Sequence, residues 1–270
     1  MRLGLLSDLH CELVPARQRS WINPYEPLQL ERRLRDAIEI FSVEQPDIVV
    51  LLGDTSELGD REAFDFVFSR LRRLTGAVLA TVAGNHDGGA DTSALAISAR
   101  THGVRLLNGE SMYMGGVTII GLGVAPVAPG LSVFRGAMPD WPREGLLTVV
   151  ASHFPLLSHA LEIAGAGLPY SGDIVNRGEI EALPQQSGIP TVVLSGHVHS
   201  RCTATAGHVL QLTVGAVIEP PFDCTVVDID IGTGIAVRRR AFTLGDAPTI
   251  NPVFSAADER WRWHSDRWQR

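Results

Sequence analysis

Cysteine is scarce. Cys11, Cys202 and Cys224 are the only three in 270 residues, and no two stand in a CxxC spacing. An odd number without paired spacing argues against a disulfide framework and for a reducing compartment. Surplus positive charge is also missing: lysine plus arginine total 23 against 30 acids, a formal net charge of −7. Coating nucleic acid through phosphate contacts needs excess cations, so broad non-specific nucleic-acid binding is disfavoured. A small anionic ligand is not, because one local site can oppose the global sign. Long hydrophobic runs are absent too. The N-terminus offers only Leu3 to Leu6 before Ser7-Asp8, too short for a signal peptide. The most apolar stretch, 117–134, is broken by Gly121, Gly123, Pro126, Pro129 and Gly130. It cannot supply the ~20 helical residues of a bilayer span. The expectation is a soluble cytoplasmic protein with no membrane segment.

What is present is an ordinary globular composition, 45% hydrophobic and 20% charged, with no internal repeat and no Pro/Ser-rich linker. Apolar runs predict strands at 2–6, 47–52, 77–82, 117–122, 146–151, 191–194, 209–214, 224–229 and 235–239. Leu30, Leu34, Ala37, Ile38 and Phe41 recur at helical spacing, as do Ala63, Phe64, Val67, Phe68 and Leu71. Further helices are expected near 156–164 and 176–183. Strand–helix alternation followed by a strand-rich half suggests two packed sheets with helices outside. Residues 1–254 read as one domain. Residues 255–270, carrying Trp261, Trp263 and Trp268 among arginines, read as a C-terminal tail. Its indoles are expected to dock on the domain itself or on a second copy in a homo-oligomer, because exposed they would invite aggregation.

Five short motifs sit where a predicted strand gives way to a loop: Asp8-Leu9-His10, Gly53-Asp54, Gly84-Asn85-His86-Asp87, Ser152-His153-Phe154 and Gly196-His197-Val198-His199. Parallel strands would bring these ends to one rim, where α/β sheets bind ligands. Residues two apart on extended backbone point the same way, which would pair Asp8 with His10 and His197 with His199. Two carboxylates, four imidazoles and one amide oxygen form an oxygen/nitrogen donor set suited to manganese, iron or zinc, and numerous enough for two cations. Singly, each motif is an ordinary turn or core residue. As an ordered set they are far harder to explain as turns.

That ordered set resembles the calcineurin-like metallophosphoesterase superfamily, with its D-x-H, G-D, G-N-H-[DE], H and G-H-x-H pattern. The resemblance implies a four-layered α/β/β/α sandwich of two mixed sheets flanked by helices, with a dinuclear centre at the sheet edge. It implies Asp8, His10 and His199 on one metal, Asn85, His153 and His197 on the other, and Asp54 between them. A metal-bridging hydroxide would be the nucleophile. His86 would contact the phosphate and protonate the leaving oxygen, and Asp87 would orient or charge its ring or serve as a turn residue. Gly53-Asp54-Thr55-Ser56-Glu57 departs from the G-D-x-x-D-R-G form of protein Ser/Thr phosphatases, which disfavours that branch.

Arg17 and Arg19, with Trp21 and Tyr25 in the same loop, are candidates to clamp a phosphate or stack a base. Tyr170 and Arg177 are further substrate candidates. His159 is expected at the surface. The leading expectation is a metal-dependent phosphodiesterase acting on a small phosphoester, such as a nucleotide or cyclic nucleotide. The alternatives are a phosphomonoesterase, a nuclease or a non-catalytic scaffold.

Overall fold

Four parallel strands form half of the first sheet. They are β1 (Arg2–Leu6), β2 (Ile48–Leu52), β3 (Val78–Val82) and the short β4 (Arg105–Leu106), linked through helices α1 (Leu30–Glu44), α2 (Arg61–Leu71) and α3 (Ser93–His102). The chain then builds a second sheet from β5 (Ser111–Met114), β6 (Val117–Ala128), β7 (Leu131–Arg135), β8 (Thr148–Ser152), β9 (Thr191–Ser195), β10 (Cys202–Ala206) and β11 (Val209–Thr213). Helices α4 (Ala160–Gly165) and α5 (Arg177–Ser187) lie between β8 and β9 in sequence. Strands β12 (Asp223–Asp230), β13 (Ala236–Thr243), β14 (Asp258–His264) and β15 (Arg267–Gln269) return to the first sheet. This computed structural model describes residues 1–14, 20, 22–89, 91–128, 131–135, 141–168, 172, 174–245 and 253–270.

Strand alternation makes the layers. In β2, Ile48, Val50 and Leu52 enter a core between the two sheets, while Val49 and Leu51 face a core shared with Phe41, Phe64 and Phe68 of the helices. In β9, Val192 and Leu194 enter the inter-sheet core and Val193 faces a third cluster with Ile180 of α5. Both faces of these strands are therefore apolar, which is why they read as continuous rather than alternating runs. The result is the α/β/β/α sandwich, with sheet orders β15-β14-β13-β12-β1-β2-β3-β4 and β10-β11-β9-β8-β6-β5, β7 pairing with β6. In the second sheet, β6, β8, β9 and β11 run parallel. The strands preceding all five motifs are thus parallel within their sheets, and their carboxyl ends share one edge.

The C-terminal residues form the hairpin β14–β15 at the end of the first sheet. Trp261 and Trp268 are buried in the inter-sheet core, and Trp268 Nε1 donates to the His208 carbonyl at 2.9 Å. Arg239 is fully buried against Glu259 and donates to the carbonyls of Cys202 and Ala256. His159, expected at the surface, is wholly buried, with Nε2 3.0 Å from Thr213 Oγ1 and 2.9 Å from Gln211 Nε2. Burial pushes its imidazole down to about 4. Among the described residues no helix is long and apolar enough to cross a membrane.

Candidate metal centre

Seven side chains gather at the shared strand edge. Asp8 and His10 follow β1, Asp54 follows β2, Asn85 follows β3, His153 follows β8, and His197 and His199 follow β9. Three groups have donor atoms mutually within 4.8 Å: Asp8, His10 and His199; His10, Asp54 and His86; and Asp54, His153 and His197. Asp54 belongs to two of them. Its Oδ2 lies 3.8 Å from His10 Nε2 and 3.1 Å from His153 Nε2, between the two groups.

The backbone at these positions is not extended as the sequence spacing suggested. Nine described non-glycine residues have positive φ, and five of them are Asp8, His10, Asp54, His197 and His199. Each such conformation costs on the order of 1–3 kcal/mol and survives where the surroundings hold it, typically at functional sites. The D-x-H and H-x-H pairs therefore converge through sharp left-handed turns at the strand ends rather than by strand alternation. The flanking glycines are required sterically. A Cβ on Gly84 would lie 2.1 Å from Asp54 Oδ1, and one on Gly196 would lie 1.7 Å from Ser7 Oγ and 2.8 Å from Asp8 Oδ2.

Hydrogen bonds fix the imidazoles. His10 Nδ1 donates to Glu57 Oε2 at 2.5 Å, His153 Nδ1 to the Leu52 carbonyl at 2.8 Å, and His199 Nδ1 to Glu219 Oε2 at 2.7 Å. With Nδ1–H committed, each ring turns a lone pair inward through Nε2. The Nε2 atoms of His10 and His199 stand 3.3 Å apart, and two facing acceptors need a cation or proton between them. Asn85 Oδ1 is buried without a hydrogen-bond partner. The facing imidazole lone pairs and two buried carboxylates, with an orphaned amide oxygen after the neighbouring strand β3, make a donor set that fits divalent metals.

Charge tells the same story. Burial opposes ionisation of Asp8 and Asp54, yet the surrounding imidazoles hold both carboxyls well below the usual range. Burial likewise opposes charging His153 and His199, but Asp54 raises the first to about 9 and Asp8 raises the second to about 10. Desolvation, with His153 beside it, pushes His197 well down. These anions attract positive charge strongly enough to charge two buried imidazoles, a role divalent cations take when bound.

His86 stands at the rim, its side chain 38% exposed, while the ligand carboxylates are buried. Its Nδ1 faces the Glu57 carbonyl at 3.1 Å and Glu57 Oε1 at 3.4 Å, leaving Nε2 as the free end. Burial lowers its basicity, but Asp54 and Glu57 outweigh this and raise it to about 9. Asp87, expected to orient or charge this ring, does neither. Its two carboxylate oxygens accept the backbone N–H groups of Ser56 and Gly84, both at 2.9 Å, and burial next to Asp54 pushes it up to about 7. It braces the two loops carrying Asp54 and Asn85.

Glu57 takes the place expected for Asp87, and Glu219 is its counterpart on His199. In the sequence Glu57 stands out only where the second motif departs from the G-D-x-x-D-R-G form, and Glu219 belongs to none of the five motifs. Partners of ligating histidines commonly matter about 10–100-fold in metal affinity. Glu57→Gln is accordingly expected to release metal about 10–100-fold more readily than wild type in a chelator competition, with little change in the melting temperature of the metal-free protein.

The substrate candidates divide. Arg177 donates to the carbonyls of Pro155, Leu156 and Gly172, so it clamps the loop that follows His153. Arg17, Arg19 and Tyr170 lie outside the described residues. Tyr25, half-buried, places its ring 5.1 Å from that of His10 and 5.5 Å from that of His199. Burial, with Glu219, Asp8, Glu57 and Asp54 around it, pushes its phenol well up.

The calcineurin-like phosphoesterase family model matches residues 1–201, which include every proposed ligand. The chain belongs to that family and is a phosphoester hydrolase. No curated protein matches it by sequence. Its fold is similar to that of a dimetal phosphatase from Danio rerio, at 15% identity and a TM-score of 0.63, covering 94% of this chain and 99% of that one. It is also similar to the purple acid phosphatase PPD1 of yellow lupin, at 11% identity and a TM-score of 0.57, covering 96% of this chain and 53% of that one.

Proposed function

We propose that this hydrolase is a dinuclear phosphodiesterase that cleaves a small phosphodiester, of the nucleotide or cyclic-nucleotide class, in a reducing cytoplasmic setting. The observation that carries the reading is the convergence of seven donors on a buried centre with His86 at its open rim. Asp8, His10 and His199 would hold one cation, Asn85, His153 and His197 the second, and Asp54 both. A pair of manganese, iron or zinc ions supplies Lewis acidity and a water activated for in-line attack at phosphorus. His86 Nε2 holds the proton that the leaving oxygen needs. Glu57 fixes that ring through Nδ1.

Charge balance favours the diester over the monoester. Asp8, Asp54, Glu57 and Glu219 are four carboxylates on or against the ligand set, and they match the charge of two divalent cations. Apart from the proton on His86, a centre so balanced has no net charge to reward the second negative charge of a monoester, so the dianion loses the advantage that a strongly positive centre would give it. The manganese-loaded protein is therefore expected to show a higher kcat/KM on bis-p-nitrophenyl phosphate than on p-nitrophenyl phosphate. A preference for the monoester sinks the diesterase reading, and hydrolysis of neither sinks the catalytic one.

A further inference from the structure

The mechanism described so far leaves one polar group in the centre unused. Tyr25 sits on the segment between β1 and α1, and its backbone surroundings are pinned. The N–H groups of Ile22 and Asn23 donate to Glu219 Oε1 at 2.8 and 2.5 Å, and Glu26 N–H donates to the Ile218 carbonyl at 3.0 Å. Asn23 Nδ2 adds a contact of 3.4 Å to the Pro220 carbonyl. The other oxygen of Glu219 holds His199. One carboxylate thus ties a proposed ligand to the segment that carries the tyrosine.

The ring lies tilted by 35° against both His10 and His199, the two imidazoles of the same proposed metal. His86 meets the His10 ring too, edge-on, with centroids 4.9 Å apart. Tyr25 and His86 therefore both border His10. The tyrosine hydroxyl makes no hydrogen bond with the described residues, and the carboxylates of Glu219, Asp8, Glu57 and Asp54 all act against its ionisation. A half-buried phenol on an anchored segment, its hydroxyl open to solvent beside His10 and His199, is a donor available to an acceptor that enters the centre.

We infer that the Tyr25 hydroxyl donates a hydrogen bond to a non-bridging oxygen of the substrate phosphoryl group, making Tyr25 a substrate-binding residue on the Asp8/His10/His199 side of the centre. The inference rests on the proposed phosphoesterase reading. It assigns the tyrosine a polar role, in place of the base-stacking role its loop position suggested. A hydrogen bond to a charged oxygen corresponds to roughly a ten- to hundredfold change in an equilibrium constant.

Tyr25→Phe tests it, because the ring and its packing stay and only the hydroxyl goes. Manganese content and melting temperature should match wild type. Binding of inorganic phosphate to the manganese-loaded protein, followed by calorimetry, should weaken about ten- to hundredfold, and kcat/KM on bis-p-nitrophenyl phosphate should fall by a similar factor. Equal phosphate affinity in the two proteins overturns the inference, and so does loss of manganese in the variant, which would make the phenol a support for His10 or His199. Phosphate binding is read without turnover. A wild type inactive on both esters would count against the phosphoesterase reading, while the phosphate comparison would still decide the role of Tyr25.

Discussion

Asp54→Asn is expected to lower kcat/KM on any phosphodiester by roughly a thousandfold or more, equivalent to about 4 kcal/mol of transition-state stabilisation. Asp54 is the one carboxylate shared by two donor groups, so an amide there removes the anion that both cations would share. The metal count should fall below two per chain. The fold should survive. Asn can still accept the backbone N–H of His86 that Asp54 Oδ1 accepts at 2.9 Å, although the metal-free variant loses the attraction of His153, His86 and His10 for the carboxylate, offset only in part by the lost repulsion from Asp8. A metal-free variant that still unfolds in one cooperative transition, at a modestly lower temperature, beside lost activity and lost metal, separates this outcome from unfolding. Full activity with two metals bound would remove Asp54 from the centre.

His86→Gln should act differently, keeping both metals and losing rate in proportion to the leaving group's need for a proton. General acid catalysis contributes on the order of 10²–10⁴-fold where the leaving oxygen is a poor one. A diester that releases an alcohol or a sugar hydroxyl should therefore slow by about that factor. Release of p-nitrophenolate, which leaves without protonation, should slow by about tenfold or less. The exposed position of His86 and the anchoring of its Nδ1 by Glu57 are what allow Nε2 to face a leaving group. Equal losses on both kinds of ester would make His86 a binding residue and not the acid.

The layers and the clustering of donor residues at one sheet edge were legible because their signals are local. The strands before Asp8, Asp54 and His153 are short apolar runs, and each ends in a turn that the sequence spells with glycine, aspartate or histidine. The strand β1 occupies the residues expected of it, Arg2–Leu6. What escaped depends on distant partners or on patterns that composition disguised. Glu57 meets His10 from 47 positions away, and nothing beside Glu57 in the chain announces it. Asp87 sits next to His86 in sequence, yet its carboxylate turns to the backbone of Ser56 and Gly84. In the C-terminal segment, the buried Glu259 and Trp261 alternate with the exposed Asp258, Arg260 and Arg262, the period of a strand with one face covered. The density of arginine and tryptophan drew attention away from that alternation. Strand β6 runs on through Gly123 and Pro126 because its far end pairs with β7, where a missing amide or side chain is tolerated, whereas Gly121 is still paired with Ala151 of β8 and leaves room for the Leu107 carbonyl, which a Cβ there would meet at 2.2 Å.

The central claim is a two-cation centre built from these seven residues, and counting metal tests it most directly. Protein loaded with manganese, dialysed and assayed by elemental analysis should hold two ions per chain, and Asn85→Ala should hold one. Wild type that retains no manganese, or a variant that retains as many ions as wild type, would contradict the account.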